Sequence, residues 1–437
     1  MTFLFNSLVK KGFDVKLHDV LFEEDSVQCV IEQFSPDYIG LSLRNIDDVK
    51  VDSTRYFIPE VVKLIEAIRS VSTAPIILGG SGFSLFPMEL MNLTGADFGL
   101  CGEAEVSLPM LLDILNISDR SLIEKEFTTT PGLVYKGKQG PVQNEYEREI
   151  YAQNDKIEYP RELVTRYLDA SSMVNIQTQR GCPFSCCYCS YPVIEGKTVR
   201  FRPAEAVVDE IESLSRAGAR YFYIVDSVFN INRNHVVSFC EEIIRRKITV
   251  SWSCFLRPAG MTFDLMELMA RAGLKHIEFG SDSLCDEILH NYTKGFTFDD
   301  ILQSSELARK ANIHYAHFLI PGGPGEREDT LQTTFRNSLF LKKTVLFPFI
   351  GMRILPSTKL HTISIEQNVI LNDSSLLEPA FYISPYISKD IIDKMLVEFH
   401  KQSPRWIISE PDTAQLAVMN GLRKKGVCGP LWEFLAS

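Results

Sequence analysis

Long apolar runs and an excess of positive charge are both missing from this sequence of 437 residues. No apolar stretch reaches the roughly 18–20 residues that a membrane-spanning helix needs, so we expect no transmembrane segment. Lys and Arg number 45 against 56 Asp and Glu, a net charge of −11. Because nucleic acid binding depends on clustered cations, we expect no nucleic acid partner. At the N-terminus Lys10 and Lys11 follow an apolar patch, whereas a secretory leader places its charges first, and we expect a cytoplasmic protein.

The composition also lacks the marks of a disordered or disulfide-rich protein. Hydrophobic residues make up 45% and charged residues 23%, an ordinary globular balance, and the length predicts two or three domains. A long intracellular chain needs no disulfide framework, yet four of the ten cysteines fall within eight residues, which indicates ligation chemistry. We expect the six other cysteines to be buried apolar residues: Cys29, Cys101, Cys240, Cys254, Cys285 and Cys428.

Residues 1–115 alternate short apolar strands with helical patterns, which is typical of a doubly wound, Rossmann-like parallel sheet. This region begins with a helix-like stretch, Thr2–Lys11, where such a sheet normally has a strand. Two alternatives follow: a domain that lacks its first strand, or a start that lies upstream. The predicted strands are Phe13–His18, Tyr38–Ser42, Ala74–Leu78 and Ala96–Leu100.

Residues 116–170 differ from the regions on either side and are predicted to be a surface linker. Pro and Gly punctuate the short apolar run Leu133–Tyr135, which indicates a small hairpin. Charged residues dominate from Glu145 to Arg161.

Residues 171–365 resume the alternation with six strand–helix units, too few for an eight-fold barrel, and predict a partial (β/α)6 barrel. Residues 366–437 are predicted to be a small helical C-terminal region with amphipathic helices over Lys389–His400 and Thr413–Lys424. The six predicted barrel strands are Val174–Gln179, Tyr221–Val225, Ile248–Phe255, Leu274–Phe279, His314–Ile320 and Val345–Ile354.

The clearest chemical signal is the spacing C-x₃-C-x₂-C of Cys182, Cys186 and Cys189, in one loop that follows a predicted strand. Three thiolates can hold a [4Fe–4S] cubane and leave one iron open to a substrate or cofactor. The alternative is a structural zinc loop. Zinc prefers four protein ligands in a closed site, and no second cysteine pair or nearby His completes one here. Cys187 is adjacent to Cys186 and would be strained as a joint ligand.

This motif, with Tyr188 before its last cysteine, resembles the radical S-adenosylmethionine (SAM) superfamily over about residues 171–365. The resemblance implies that the open iron binds the amino and carboxylate groups of SAM, and that one electron splits the sulfonium to give a 5′-deoxyadenosyl radical. It also suggests cofactor contacts at the ends of later strands, where Gly280 to Ser283 stands for the family's Gly-x-Glu-Ser with the shorter Asp in place of Glu. The cofactor-binding residues predicted in the barrel are Tyr188, Asp226, Arg257, Gly280, Asp282, Ser283, Gly322, Gly323 and Glu326.

Two glycine-rich turns follow predicted strands in residues 1–115, where open α/β sheets bind their ligands. With the downstream cysteine motif, they resemble the cobalamin-binding domains of cobalamin-dependent radical SAM enzymes. The sequence has no D-x-H-x-x-G motif, so cobalamin would lack a His ligand from that motif. We expect the two turns to lie side by side. If Gly80 and Gly82 serve ligand approach rather than turn strain, a bulky residue at either should block the corrin while the sheet stays folded. The predicted residues are Gly79, Gly80, Ser81, Gly82, Gly102 and Glu103.

The resemblance implies an enzyme that uses a [4Fe–4S] cluster, SAM and cobalamin, with methylation of an unactivated carbon as the leading function. Three alternatives remain: cobalamin-dependent cyclisation or rearrangement, radical SAM chemistry without cobalamin, and a non-catalytic iron–sulfur redox protein. The expected partners are a small-molecule or lipid-like substrate and an electron donor such as flavodoxin or ferredoxin.

Overall fold

The computed structural model describes residues 1–22, 26–117, 125–145 and 157–435. It divides into two compact units, the first built mainly from residues 1–152 and the second mainly from residues 153–437. None of the described helices is both long and apolar enough to cross a membrane.

The first unit contains one five-stranded sheet. Its strands, which are neighbours in chain order, are β1 (Ile39–Ser42), β2 (Ile76–Gly79), β3 (Phe98–Leu100), β4 (Leu133–Gly137) and β5 (Gly140–Gln143). The first three run parallel and the last two antiparallel. The helices are α1 (Thr2–Lys10), α2 (Val27–Phe34), α3 (Ile58–Arg69), α4 (Ser81–Leu85), α5 (Pro87–Thr94) and α6 (Ser107–Leu115).

Helices cover both faces of this sheet, so the predicted doubly wound arrangement is confirmed. On one face Ile77 and Leu100 pack in a cluster with Leu111 of α6, and Leu8 of α1 packs against the same cluster. On the other face the Phe83 ring lies so close to β3 that a side chain at Gly99 would overlap it. Burial on both faces is what a parallel sheet requires.

The predicted strand Phe13–His18 is wrong, because the structure assigns no strand there. Its alternation is present, with Asp14 and Lys16 exposed between half-buried neighbours. A strand also needs a hydrogen-bonding neighbour, and in the described part of the chain none pairs with this segment. Periodicity alone was therefore insufficient.

The predicted boundary at residue 115 also differs from the structure. The hairpin of β4 and β5 is not part of a surface linker, because Leu133 and Val134 pair with β3 and extend the sheet. Both residues are fully buried, so the first unit continues through this hairpin. Most of the predicted charged stretch from Glu145 to Arg161, namely residues 146–156, lies outside the described residues.

The second unit is built on a parallel six-stranded sheet, which confirms the partial barrel. Its strands in chain order are β6 (Val174–Ile176), β7 (Gln179–Arg180), β8 (Arg200–Phe201), β9 (Tyr221–Ile224), β10 (Ser251–Leu256), β11 (Leu274–Asp282), β12 (His314–Leu319), β13 (Thr344–Pro348), β14 (Met352–Arg353) and β15 (Phe381–Tyr382). The large sheet has the order β13-β12-β11-β10-β9-β6, and β7–β8 and β14–β15 form two small antiparallel pairs.

Helices follow most strands of this sheet and pack on its outer face. Ile224, Cys254 and Ile277 share one apolar cluster with helical residues such as Val207 and Phe239. The helices are α7 (Arg161–Ser171), α8 (Tyr191–Ile194), α9 (Ala204–Arg216), α10 (Arg233–Arg245), α11 (Phe263–Arg271), α12 (Asp286–Asn291), α13 (Phe298–Lys310), α14 (Glu328–Ser338), α15 (Lys359–Glu366), α16 (Lys389–Gln402) and α17 (Thr413–Lys424), with 3₁₀ turns at Phe229–Ile231 and Leu431–Leu435. Helices α16 and α17 confirm the predicted helical C-terminal region.

Of the six cysteines outside residues 182–189, four are buried as expected, whereas Cys29 and Cys428 are partly exposed.

Candidate functional site

The three motif cysteines lie in one loop at the carboxyl end of β6, entered through the short strand β7. Gly181 begins the loop with a φ of +91°, and a side chain there would overlap the carbonyl oxygen of Thr198. Glycine is therefore required where the two limbs of the loop meet. The Cys182 N–H donates to the Gly196 carbonyl at 3.0 Å and closes the loop.

Cys187 anchors this loop in the core. Its side chain is fully buried, its N–H donates to the Tyr292 carbonyl at 3.0 Å, and its carbonyl accepts from the Leu360 N–H at 2.7 Å. Burial raises the pKa of the Cys187 thiol to about 12. These contacts give Cys187 a structural role, which accords with its predicted exclusion from the ligand set.

The electrostatic surroundings of the motif thiols suit bound thiolates. Burial raises the pKa of Cys186, and that of Cys189 to about 12, while the Lys294 cation acts in the opposite direction on both. Coordination to iron supplies the further stabilisation that a thiolate needs in such a place. In the described ranges no three His, Cys, Asp or Glu side chains converge as ligands of a single metal ion do. A cubane instead spreads its thiolates over different iron atoms, and three thiols with a cation beside them fit that group.

A buried network of Tyr188, Asp282 and Lys294 lies beside these thiols. The Asp282 Oδ2 accepts a hydrogen bond from the Tyr188 hydroxyl at 2.6 Å and another from the Lys294 ammonium at 2.6 Å. Burial by itself would lower the pKa of Lys294, but the Asp282 and Cys186 charges outweigh it and the pKa is raised. Lys294 thus stays charged, and the Asp282 carboxylate is held by its hydrogen bonds to Tyr188 and Lys294.

The sequence-based prediction missed Lys294. It follows α12 and belongs to no recognisable motif, so only the fold brings it to Asp282. Asp282 ends β11 with a φ of +63°, a left-handed conformation that costs a non-glycine residue about 1–3 kcal/mol. Two strong hydrogen bonds to its carboxylate offset that cost and hold the strand end in place.

Arg257, predicted as a cofactor contact from its place at a strand end, lies beside the cysteine loop. Its guanidinium carbon lies 4.1 Å from the ring centroid of Phe184, which stands between Cys182 and Cys186, and 4.9 Å from that of Phe296. Burial lowers the pKa of Arg257. Stacking between two rings fixes this cation beside the loop.

Three other predicted cofactor contacts are enclosed by the protein's own groups. Asp226 accepts from the Thr178 N–H at 2.7 Å and the Thr178 hydroxyl at 2.5 Å. Ser283 bonds the Thr334 hydroxyl at 3.1 Å. Glu326 accepts from Thr330 at 2.9 Å. All three residues are almost fully buried and secure strand ends or turns, which leaves little surface for a cofactor; their predicted contacts remain predictions.

The predicted glycines of the barrel divide into two kinds. A side chain at Gly323 would overlap the Tyr292 hydroxyl, and Gly322 has a φ of +92°, so packing and backbone geometry already require both. A Cβ at Gly280, in contrast, would meet nothing within 4 Å. Of these three, only Gly280 borders open space.

In the first unit the two glycine turns lie side by side, as expected. They follow the neighbouring strands β2 and β3, and the Gly102 N–H donates to the Ser84 hydroxyl at 2.9 Å. Gly79, Ser81, Gly102 and Glu103 are partly exposed to solvent at this carboxyl edge, where ligands bind in such sheets; their contacts with cobalamin remain predictions.

Gly80 and Gly82 in this edge also have roles in the fold. Gly80 has a φ of +97°, and a Cβ there would lie 2.5 Å from the Leu43 carbonyl oxygen. The Gly82 N–H donates to that same oxygen at 2.9 Å, and Ser81 donates to the Arg44 carbonyl at 2.8 Å. The condition for that expectation is not met at Gly80, which serves the turn itself, and bulk there would not spare the fold because the backbone after β1 already occupies that space.

Comparison with known proteins assigns a family to each unit. Residues 176–337 match the radical SAM superfamily, and residues 2–112 match the B12 binding domain. An uncharacterized methyltransferase of Pyrococcus horikoshii is 24% identical, over 92% of this chain and 88% of its own length. A tryptophan 2-C-methyltransferase of Streptomyces laurentii is 23% identical, over 81% of this chain and 69% of its own length.

The fold is also found in a solved structure. The radical SAM methyltransferase TsrM from Kitasatospora setae, with cobalamin and a [4Fe–4S] cluster bound, gives a TM-score of 0.85 at 22% identity over 99% of this chain and 93% of that one. The two domain matches fall on the two units that carry the glycine edge and the cysteine loop. This chain therefore belongs to the cobalamin-dependent radical SAM enzymes, whose cofactors are SAM, a [4Fe–4S] cluster and cobalamin.

Proposed function

We propose that this enzyme is a C-methyltransferase that acts on an unactivated carbon of a small-molecule or lipid-like substrate. The observation that carries the proposal is the presence of a B12 binding domain and a radical SAM domain in one chain. Relatives named as methyltransferases, which match along most of this chain, support it.

The chain's own residues would bind and position the cofactors. Cys182, Cys186 and Cys189 hold the cluster, and Lys294 and Arg257 offset the negative charge of its thiolates. When bound, the cluster and SAM supply the one-electron chemistry and cobalamin carries the methyl group; the protein provides orientation and shielding. In the first unit, the edge formed by Gly79 and Gly102 offers accessible backbone to the corrin.

We also infer that a flavodoxin or ferredoxin reduces the cluster, and that the enzyme works in the cytoplasm. The described second unit contains one cysteine motif for a cluster, and a cluster of this kind needs one electron from a donor, which a small redox protein can supply. The net charge of −11 and the absence of spanning helices among the described residues accord with that setting.

The test is anaerobic incubation of the reconstituted enzyme with cobalamin, reductant, cell extract and SAM that carries a deuterated methyl group. We expect mass spectrometry to detect a product heavier by one labelled methyl group, together with 5′-deoxyadenosine. Cys187→Ala should retain this product and Cys182→Ala should lose it.

Other outcomes would identify the alternatives. A modified product without label, formed only with cobalamin, would overturn methyl transfer in favour of cyclisation or rearrangement. Activity that is independent of cobalamin would favour a simpler radical SAM enzyme. Failure to cleave SAM with an intact, reduced cluster would favour a redox protein.

A further inference from the structure

A row of aromatic rings crosses the face of the six-stranded sheet opposite its helices. Tyr223 of β9 lies 5.9 Å from Phe255 of β10 between ring centroids, and Phe255 lies 5.9 Å from Phe318 of β12. Phe318 lies 5.2 Å from Phe347 of β13. These side chains alternate along their strands with residues of the helix-packed cores, so they face the inside of the partial barrel.

Gly280 opens a space in this row. It lies on β11, between the strands that carry Phe255 and Phe318. Its φ is not in the left-handed region, and an added Cβ would meet nothing within 4 Å. Neither backbone strain nor packing requires glycine here, unlike at Gly323. The space above β11 is therefore available to a ligand.

One carboxylate lies at the base of this space. Glu278 precedes Gly280 by two residues on β11 and pairs with Phe255 in the sheet. Its Oε2 accepts a hydrogen bond from the Tyr223 hydroxyl at 2.7 Å, and the residue is only 8% exposed. A carboxylate among aromatic rings is a strong acceptor for a polar hydrogen of a bound molecule.

The strand that carries Phe255 leads to the cysteine loop. Arg257 directly follows β10, two residues after Phe255, and its guanidinium packs on Phe184 between Cys182 and Cys186. Active sites of barrels gather at the carboxyl ends of their strands. A molecule held on the row would thus lie on the side of the sheet where the radical forms.

We propose that this row binds a planar conjugated ring of the substrate, and that Glu278 accepts a polar hydrogen at one edge of that ring. The inference rests on the proposed function in that it places a substrate beside the cluster. The rings of Phe318 and Phe349 are within 12° of parallel, and Phe349 is 43% exposed, so a flat face is open to stacking. A planar ring gains an attraction from each stacked aromatic contact beyond that of its buried area, and a saturated molecule of the same size lacks this attraction.

The test compares 2-naphthol with decahydro-2-naphthol, which has the same skeleton and hydroxyl group but no flat face. Binding to the anaerobically reconstituted enzyme is followed by naphthol fluorescence, with the saturated alcohol as competitor. We expect 2-naphthol to bind about tenfold more tightly, the effect of one to two stacking contacts. Equal affinities, or tighter binding of the saturated alcohol, would overturn the ring site.

Variants locate the site. Phe318→Leu and Phe347→Leu should each reduce the preference for 2-naphthol several-fold, while Phe263→Leu, an exposed residue of α11, serves as the matched control. Circular dichroism and iron content verify folding. If Phe318→Leu fails to fold, Gly280→Ala replaces it, because the added methyl meets open space in the protein and should weaken binding of 2-naphthol. Unchanged binding in the folded variants contradicts the proposal.

The polar edge has its own probe. 2-Methoxynaphthalene keeps the flat face but has no hydrogen to donate to Glu278, so it should bind several-fold more weakly than 2-naphthol. Equal binding would remove Glu278 from the site. Because these measurements need no turnover, failure of methyl transfer with the ring preference intact leaves the substrate class standing. Transfer of the labelled methyl group to a saturated chain, with no preference for 2-naphthol, would support methyl transfer and overturn the ring site.

Discussion

The cysteine loop of the barrel and the glycine edge of the first unit differ in how they separate cofactor-binding residues from residues that maintain the local fold. In the loop, the predicted ligands are side chains, while Gly181 and Cys187 hold the loop's shape. At the glycine edge, Gly80 and Gly82, predicted to receive a ligand, also pack on the backbone after β1. Substitution can therefore separate chemistry from folding in the barrel, whereas at the edge it can do so only at selected positions.

The largest expected effect follows from the cysteine loop. Alanine at Cys182, Cys186 or Cys189 should abolish the cluster, whereas Cys187→Ala should retain about four irons per protein, as a cubane requires. Iron analysis and the visible absorption of anaerobically reconstituted protein measure this. Loss of iron in Cys187→Ala with the secondary structure intact would show that Cys187 is needed to hold the cluster and that the ligand assignment is wrong.

Next in size is the buried pair beside the loop. Lys294→Met leaves the Asp282 carboxylate without its cation, and breaking such a pair costs about 3–5 kcal/mol of unfolding free energy. Denaturant unfolding of the apoprotein gives the value. The double variant Lys294→Met/Asp282→Asn should regain much of the lost unfolding free energy. Substitution of an exposed lysine, Lys359→Met, is the control. If Lys294→Met alone were as stable as wild type, Lys294 would have no supporting role.

A third effect concerns pH. Burial raises the pKa of Glu326 from 4.5 to about 7. A carboxyl whose pKa is raised by folding stabilises the protein fully below its unfolded pKa, and that contribution is lost as the pH rises through the folded value. The free energy of unfolding should thus fall by roughly 3 kcal/mol between pH 4.5 and 7 from this group. Glu326→Gln should flatten that slope, and an unchanged slope would assign it to other groups.

The two kinds of glycine give a smaller and more direct comparison. Gly80→Ala should destabilise the first unit by about 1–3 kcal/mol, because the residue is left-handed and its new Cβ meets the Leu43 carbonyl. Gly280→Ala should be neutral or stabilise by about 0.5–1 kcal/mol, since Ala is less flexible than Gly in the unfolded chain. Urea unfolding followed by circular dichroism tests both. Similar losses of unfolding free energy in Gly80→Ala and Gly280→Ala would show that the two glycines do not differ in their importance for the fold.

The smallest effect on stability is expected at Gly79, the position that best tests the corrin. An added Cβ would make only an ordinary contact, 3.6 Å from the Leu100 carbonyl oxygen. Gly79→Ala should therefore leave the sheet folded and lower cobalamin uptake, measured by visible spectra, with Gly40→Ala on β1 as the control. Normal uptake in Gly79→Ala would move the corrin away from the end of β2.

The fold class and the cysteine loop were predictable because their signals are local. Apolar periodicity marks each strand and helix of the barrel, and three cysteines within eight residues share a loop in any conformation. Where a signal depended on a distant partner, prediction failed: Phe13–His18 has the alternation of a strand without a strand beside it, and Leu133 joins a sheet that begins far upstream.

The tertiary structure alone decided which residues surround the site. Lys294 meets Asp282 across twelve residues, and Phe255, Phe318 and Phe347 meet from three separate strands. It also decided the meaning of each glycine, since Gly80 faces backbone and Gly280 faces open space. The reason is physical: spacing along the chain determines which groups are covalently close, but contacts between distant segments arise only when the packed core places their strands side by side.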